Sequence, residues 1–395
     1  MRFRLTDEQR DFGRSLDALL TAADTPAAIR SWGAGDPGRG LALWARLAEA
    51  GVFALAVPQA YEGAGAGSVE VAVALTELGR HGVPGPAVET VAASALLTEL
   101  ARRGEADPAE RLLPGIASGE TVTTLAIPAS TATSTSTPSP GAGGTSGTSG
   151  TTPGTPSARL RAGAASGTPP PRPGAGGTSA SPAPRGFGPR PGRGEAVDST
   201  AYALDADVAG LTLVVAGDEL RIARGHGPVR VSADPARRFA RPGGGELLAA
   251  GPAVVAAAEH AARWAMLATA AQSLGVGLTL LDRTVAYAKQ RTQFGTAIGS
   301  FQAVKHRLAD TLIGLEFARP LLFGAALTFE STDLAAAKVG AGEAAYAAAR
   351  TALQIHGAVG YTEELDLSLW LRKARPLRDA WGTPSRCRAL VLGAS

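Results

Sequence analysis

The sequence predicts a mainly α-helical fold with a small central β domain. Three observations predict it. Long Ala- and Leu-rich helical patterns fill the chain after residue 250, shorter helical patterns fill it before residue 103, and only short strand-like pieces lie between. The long patterns run over 253–289, 301–329 and 334–356. At the α-helical rise the first would span about 55 Å. Helices of this length stabilise one another mainly by burying apolar stripes, which predicts a C-terminal bundle.

The N-terminal elements follow in order. Thr6 and Gln9 have the spacing of a capping box, and Phe12, Leu16, Leu19 and Leu20 recur at helical intervals behind them. A second helix is expected over 41–50, carrying Leu43, Trp44 and Leu47 and ending at Gly51. An apolar run over 52–57 reaches Pro58, and 62–65 reads as a loop. Helices are expected over 69–78, stopping at Gly79, and over 87–102, after Pro84 and Pro86. The β domain is expected from 121–128, 201–204, 211–216 and 219–222, with 229–232 and 245–248 as possible edges. Domain boundaries are accordingly placed at 1–110, 111–249 and 250–395.

Between about 130 and 194 Ser, Thr, Gly, Pro and Ala dominate, with scattered Arg, and no acidic residue occurs until Glu195. Ordering a backbone residue costs roughly 1–2 kcal/mol, and this tract has almost no large apolar side chain to offset it. Disorder is expected there, as an insertion within the β domain.

The formal net charge of +3 over 395 residues gives no electrostatic footprint of a nucleic-acid binder. The single Cys387 excludes an intrachain disulfide and a cysteine metal cluster. The charged start lacks the apolar core of a signal peptide, and the apolar stretches are broken by charges. A cytoplasmic protein without a membrane span is expected.

Two motifs make the reading specific. Tyr287-Ala-Lys-Gln-Arg-Thr-Gln-Phe-Gly295 is followed by Ile298-Gly-Ser-Phe-Gln302 and His306-Arg-Leu-Ala-Asp310. Gln354-Ile-His-Gly-Ala-Val-Gly-Tyr-Thr362 comes later, with Leu371-Arg-Lys-Ala374 behind it. Together with Val57-Pro-Gln-Ala-Tyr-Glu-Gly63, they resemble the acyl-CoA dehydrogenase family. The resemblance covers about 5–96 and 201–392 and implies a helical N-terminal domain, a middle β domain and a C-terminal four-helix bundle. It also implies FAD, an acyl-CoA substrate and an oligomer in which one subunit contacts the cofactor of another. By that pattern Arg291 pairs with the pyrophosphate, and Gln293 and Phe294 line the cofactor pocket. Gln354, Gly357 and Ala358 let the backbone approach the dinucleotide, Ala358 standing where many relatives have Gly. Taken singly, these residues have ordinary roles: an Arg near a helix end favours the helix dipole, and Gly357 or Gly360 can end a helix. No catalytic role is assigned to His306 or His356.

The family reaction needs a carboxylate to remove the α proton of the thioester and a flavin to accept hydride from the β carbon. In Arg378-Asp-Ala-Trp-Gly-Thr383, Trp381 stands where many relatives carry that Glu. The alternative family position, in the first long bundle helix, falls on Ala265. No catalytic residue is therefore assigned; Glu259 and Asp379 are the nearest carboxylates but match neither pattern. The acidic element that relatives use near the flavin ring, close to Gly-Ser-Asp, is missing too. What remains is what a neighbouring chain would borrow. The expectation is a non-catalytic partner in a hetero-oligomer, as among actinobacterial steroid side-chain dehydrogenases. A stand-alone enzyme with an unconventional base and a structural protein without flavin are the alternatives.

Overall fold

The computed structural model describes residues 5–128 and 201–393; the tract expected to be disordered, about 130–194, lies outside them. Six helices open the chain: α1 (Asp7–Thr21), α2 (Thr25–Gly33), α3 (Gly38–Glu49), α4 (Ser68–Arg80), α5 (Ala87–Arg102) and α6 (Asp107–Ala117). The capping box at the start of α1 is present: Gln9 N donates to Thr6 Oγ1 at 3.2 Å, and Thr6 N donates to Gln9 Oε1 at 2.9 Å. The sequence reading did not mark α2 or α6, and α6 runs across the boundary expected at residue 110.

The β region holds two small sheets. Strand β1 (Thr123–Ala126) pairs in parallel with β3 (Leu211–Ala216), which continues antiparallel through β4 (Glu219–Ala223) to β7 (Gly245–Ala250). Gly217, with φ 63°, supplies the left-handed first position of the tight β3–β4 turn. The second sheet has the order β2 (Ala203–Leu204), β6 (Arg238–Ala240), β5 (Arg230–Val231).

The C-terminal part is built on α7 (Pro252–Gln290), which packs against α4, α5 and two further long helices, α8 (Gln302–Thr328) and α9 (Ser331–His356). Between α7 and α8 lies a hairpin of β8 (Thr292–Gln293) and β9 (Thr296–Ala297). Helices α10 (Leu367–Asp379) and α11 (Pro384–Val391) close the bundle against α9. Both α7 and α8 are long and apolar enough to cross a membrane by length and composition alone. The apolar window of α7 is 89% buried inside the protein, so α7 is the core helix. The corresponding window of α8 is only 39% buried. It leaves Ile313, Phe317 and Leu321 exposed at i, i+4 and i+8.

Two contacts tie the layers together. Helices α4 and α7 cross backbone to backbone. A Cβ on Gly79 would lie 2.1 Å from Gln272 O, and one on Gly275 would lie 2.0 Å from Thr76 O. The β region is fastened from both sides. Lys373 Nζ of α10 donates to Asp234 Oδ2 at 2.8 Å in a buried pair, and Trp32 Nε1 of α2 donates to Asp205 Oδ1 at 3.1 Å. Asp205 is fully buried and its Oδ2 has no partner, so desolvation raises its pKa from 3.8 to about 7.

Two outcomes follow from these contacts. Gly275→Ala should force α4 and α7 apart and cost about 3 kcal/mol, the upper part of the overpacking range, measured by urea unfolding. Asp205 keeps its proton to higher pH in the folded chain than in the unfolded one. Its contribution is therefore most favourable below about pH 4 and is lost as pH rises through about 7. In Asp205→Asn the stability difference from wild type should shift in the variant's favour between those limits; a difference independent of pH would show that Asp205 does not titrate there.

Candidate functional site

The cofactor candidates gather at one end of the bundle. The α7 helix ends at Arg291, and Tyr287, one turn earlier, stacks on His356 at the end of α9 with ring centroids 4.1 Å apart. This pairing brings the two sequence motifs together. In the hairpin, Phe294 and Gly295 have φ of 53° and 78° and form a two-residue turn between the paired Gln293 and Thr296. The turn lifts Phe294 into solvent, where it is 92% exposed. Arg291, Gln293, Gln354, Gly357 and Ala358 are exposed at the same end. A Cβ at Gly357 would meet nothing within 4 Å, so the surface is open.

The donor set suits half of a dinucleotide. A guanidinium fork matches phosphate oxygens, two carboxamides offer both donors and acceptors, and Phe294 offers an aromatic face. Facing solvent, these groups can contact such a ligand from one side but cannot enclose it.

Trp381 lies elsewhere, on the wall of a cavity of about 760 Å³. Along α7, the roughly 25 residues from Met266 at this cavity to Arg291 correspond to about 37 Å. The cavity is bounded by the start of α5, the β region, one face of α7 and the turn between α10 and α11. On α7 that face is Glu259, Ala262, Arg263 and Met266, at i, i+3, i+4 and i+7. Ala265 belongs to the hydrophobic core and does not line the cavity. Both Glu259 and Asp379 do line it.

The geometry of Trp381 is set from beneath. Lys338 of α9, 1% exposed, donates through Nζ to Leu377 O at 3.0 Å and Arg378 O at 2.8 Å. Its ammonium satisfies carbonyls of the last turn of α10, which would otherwise lack partners. Burial lowers the Lys338 pKa to about 8. After this anchored end the chain turns sharply: Trp381 has φ 53° and Gly382 φ 141°. A Cβ on Gly382 would sit 2.7 Å from Cys387 Sγ, so a side chain there meets both strain and a clash. The left-handed turn places Trp381 Nε1 so that it donates to Glu89 Oε1 at 3.0 Å.

Glu89 was not singled out from the sequence, where an acid in the first turn of a helix reads as a partner of the helix dipole. It is only 4% exposed, on the cavity wall. Arg237, at 7% exposure on the same wall, was also missed, as was Lys338. Composition gives no sign that these three charged residues are buried.

Comparison with known proteins gives concordant findings. Residues 6–120 match the model described as acyl-CoA dehydrogenase, N-terminal domain, and 255–392 match acyl-CoA dehydrogenase, C-terminal domain. The chain is 28% identical over 372 residues to acyl-CoA dehydrogenase IpdE2 of Mycobacterium tuberculosis, covering 93% of this chain and 91% of that protein. It is 42% identical over 120 residues to IpdE2 of Mycolicibacterium smegmatis, covering 30% of this chain and 39% of that protein. A chain of the ChsE4-ChsE5 complex from Mycobacterium tuberculosis has the same fold, with a TM-score of 0.69, 21% identity and coverage of 100% of this chain and 98% of that one.

Removing the indole donor tests the Trp381–Glu89 contact. Trp381→Phe keeps most of the packing but leaves a buried carboxyl oxygen unpaired, and should cost about 1–3 kcal/mol in urea unfolding. No change in stability would mean that Glu89 finds another donor.

Proposed function

The chain belongs to the acyl-CoA dehydrogenase family, and from that premise we propose that it is a non-catalytic subunit of a cytoplasmic hetero-oligomer. In this reading its exposed bundle end completes the FAD site of a catalytic partner chain, which oxidises an acyl-CoA between its α and β carbons. The observation that carries the reading is the separation of the two regions. The FAD-contact candidates face solvent at one end of α7, while Trp381 occupies the family's base position in a cavity near the other.

When bound, the flavin supplies the hydride acceptor of the family's reaction. The residues of this chain have a narrower task. Arg291 neutralises the pyrophosphate, Gln293 and Gln354 offer hydrogen bonds, and Phe294 covers an apolar part of the ligand. Gly357 and Ala358 keep the surface low enough for close backbone approach. The α proton is removed by a carboxylate of the partner.

Association is supported by the exposed stripe of Ile313, Phe317 and Leu321 on α8. Contiguous exposed apolar side chains mark interaction surfaces. The ChsE4-ChsE5 structure is a complex of two named chains, which supports a mixed assembly here.

A second reading, a stand-alone enzyme, has one observation in its favour: Glu89, Glu259 and Asp379 all line the cavity. It requires that the isolated chain retain FAD and that an acyl-CoA bleach it without oxygen. The first reading expects bleaching only in the mixed complex.

Co-production with a homologue bearing Glu at the position of Trp381 should give a yellow, active complex. Arg291→Ala in this chain should then lower FAD retention by tenfold or more, since truncating one side of a desolvated charge pair costs about 2–5 kcal/mol. Unchanged retention and activity would remove Arg291 from the cofactor site.

A further inference from the structure

We propose that Asp17, Glu77 and His81 form a binding site for a divalent transition-metal ion, with Zn²⁺ best suited to the donors, and that the ion ties α1 to the end of α4. None of the three residues lines the Trp381 cavity, and the site does not depend on the shared-flavin reading.

The sequence places two of the donors on one face. Glu77 and His81 stand at i and i+4 at the end of α4, so their side chains are neighbours one turn apart. Helix α1 packs on α4 and supplies Asp17 as the third donor. His81 Nε2 lies 2.8 Å from Asp17 Oδ1, and one donor atom from each of the three residues lies within 4.8 Å of the others. Zinc bonds of ~2.0–2.2 Å to nitrogen and oxygen set tetrahedral donor–donor distances of about 3.4 Å. The 2.8 Å contact and the 4.8 Å limit bracket that value, so adjustment of the side chains is enough to close the site.

The local charges favour a cation. Asp17 and Glu77 are like charges held close together, an arrangement that a cation between them relieves. Arg80 does this only in part: its Nε is 3.5 Å from Glu77 Oε2, and its Nη2 turns to Asp282 Oδ2 at 3.3 Å. Glu77 Oε2 is closed to solvent and accepts no hydrogen bond. His81 also caps the C-terminus of α4, where the negative end of the helix dipole attracts positive charge.

The donors narrow the choice of ion. Mg²⁺ and Ca²⁺ take oxygen ligands, whereas an imidazole favours zinc and its transition-metal neighbours. Two carboxylates balance the ion's charge, and three protein ligands leave a position for water. The Asp17 side chain, 50% exposed, opens the site to solvent, while those of Glu77 and His81 are each 17% exposed. Opposite a carboxylate, His81 Nε2 carries the ring proton; on binding, the proton moves to Nδ1 and the Nε2 lone pair turns to the ion.

The test is titration of the full chain with ZnCl₂, followed by calorimetry, and with CoCl₂, followed by visible absorption. One Zn²⁺ should bind per chain. Co²⁺ should give a d–d band that Zn²⁺ removes and a large excess of Mg²⁺ does not. His81→Gln, which keeps a hydrogen-bond donor toward Asp17, and Asp17→Asn should each weaken Zn²⁺ binding at least tenfold. Zn²⁺ should raise the urea midpoint of the wild type and leave that of His81→Gln unchanged. Absence of saturable Zn²⁺ binding, or displacement of Co²⁺ by Mg²⁺, overturns the proposal on the wild type alone. Wild-type affinity in both variants places the ion elsewhere and overturns it as well.

Discussion

The arrangement rests on the crossing of α4 and α7, where the backbones meet at Gly79 and Gly275 with no room for a Cβ. Close backbone approach lets two Ala-rich surfaces bury each other along several turns, and dispersion contacts accumulate with each turn. Because α7 also packs against α5, α8, α9 and α10, fixing it against α4 fixes the N-terminal helices and the bundle as neighbours. The start of α5 is thereby brought to the early turns of α7, which is how Glu89 comes to share a cavity wall with Met266. The same helix carries Arg291 away from that cavity to the far end. One packing constraint thus separates the cavity from the exposed cofactor-contact candidates.

The β region depends on polar contacts to hold its place. A buried ion pair such as Lys373–Asp234 is weak evidence for net stability, since desolvation offsets much of its attraction. Its loss on one side, however, strands the other charge, so it discriminates strongly between correct and shifted docking of α10. Asp205 does similar work toward α2 through Trp32, and Lys338 fixes the end of α10 through two carbonyls. The Lys338 contacts lie just before the short turn that carries Trp381. The left-handed backbone of that residue is held from three directions: the anchored helix end, Gly382 against Cys387, and Glu89 across the cavity.

Much of this was legible in the sequence where the signal is local. The Thr6–Gln9 capping box, the strands over 211–216 and 219–222 and the limits of α5 and α7 depend on neighbours along the chain, and the structure agrees closely with them. Helices α2 and α6 were missed because each is short and follows polar residues that read equally well as loop. The motifs around Arg291 and Gln354 were legible as a resemblance, and the Tyr287–His356 stack gives their co-location a physical basis. Glu89, Arg237 and Lys338 were not legible. Whether a charged side chain is buried depends on elements distant in sequence, and here those elements are α10, the β region and α7. Counting along the motif put Ala265 at a possible base position, but helical phase sends that side chain into the core and turns Ala262 and Met266 toward the cavity.

The outward face of α8 has a consequence for the chain before it meets any partner. Ile313, Phe317 and Leu321 present in the folded monomer the kind of surface that cells otherwise meet on misfolded protein. An unassembled copy is therefore open to chaperone capture and degradation, whereas a copy covered by a neighbour is not. Surveillance of orphan copies would in this way keep the abundance of the chain matched to the supply of whatever covers that face.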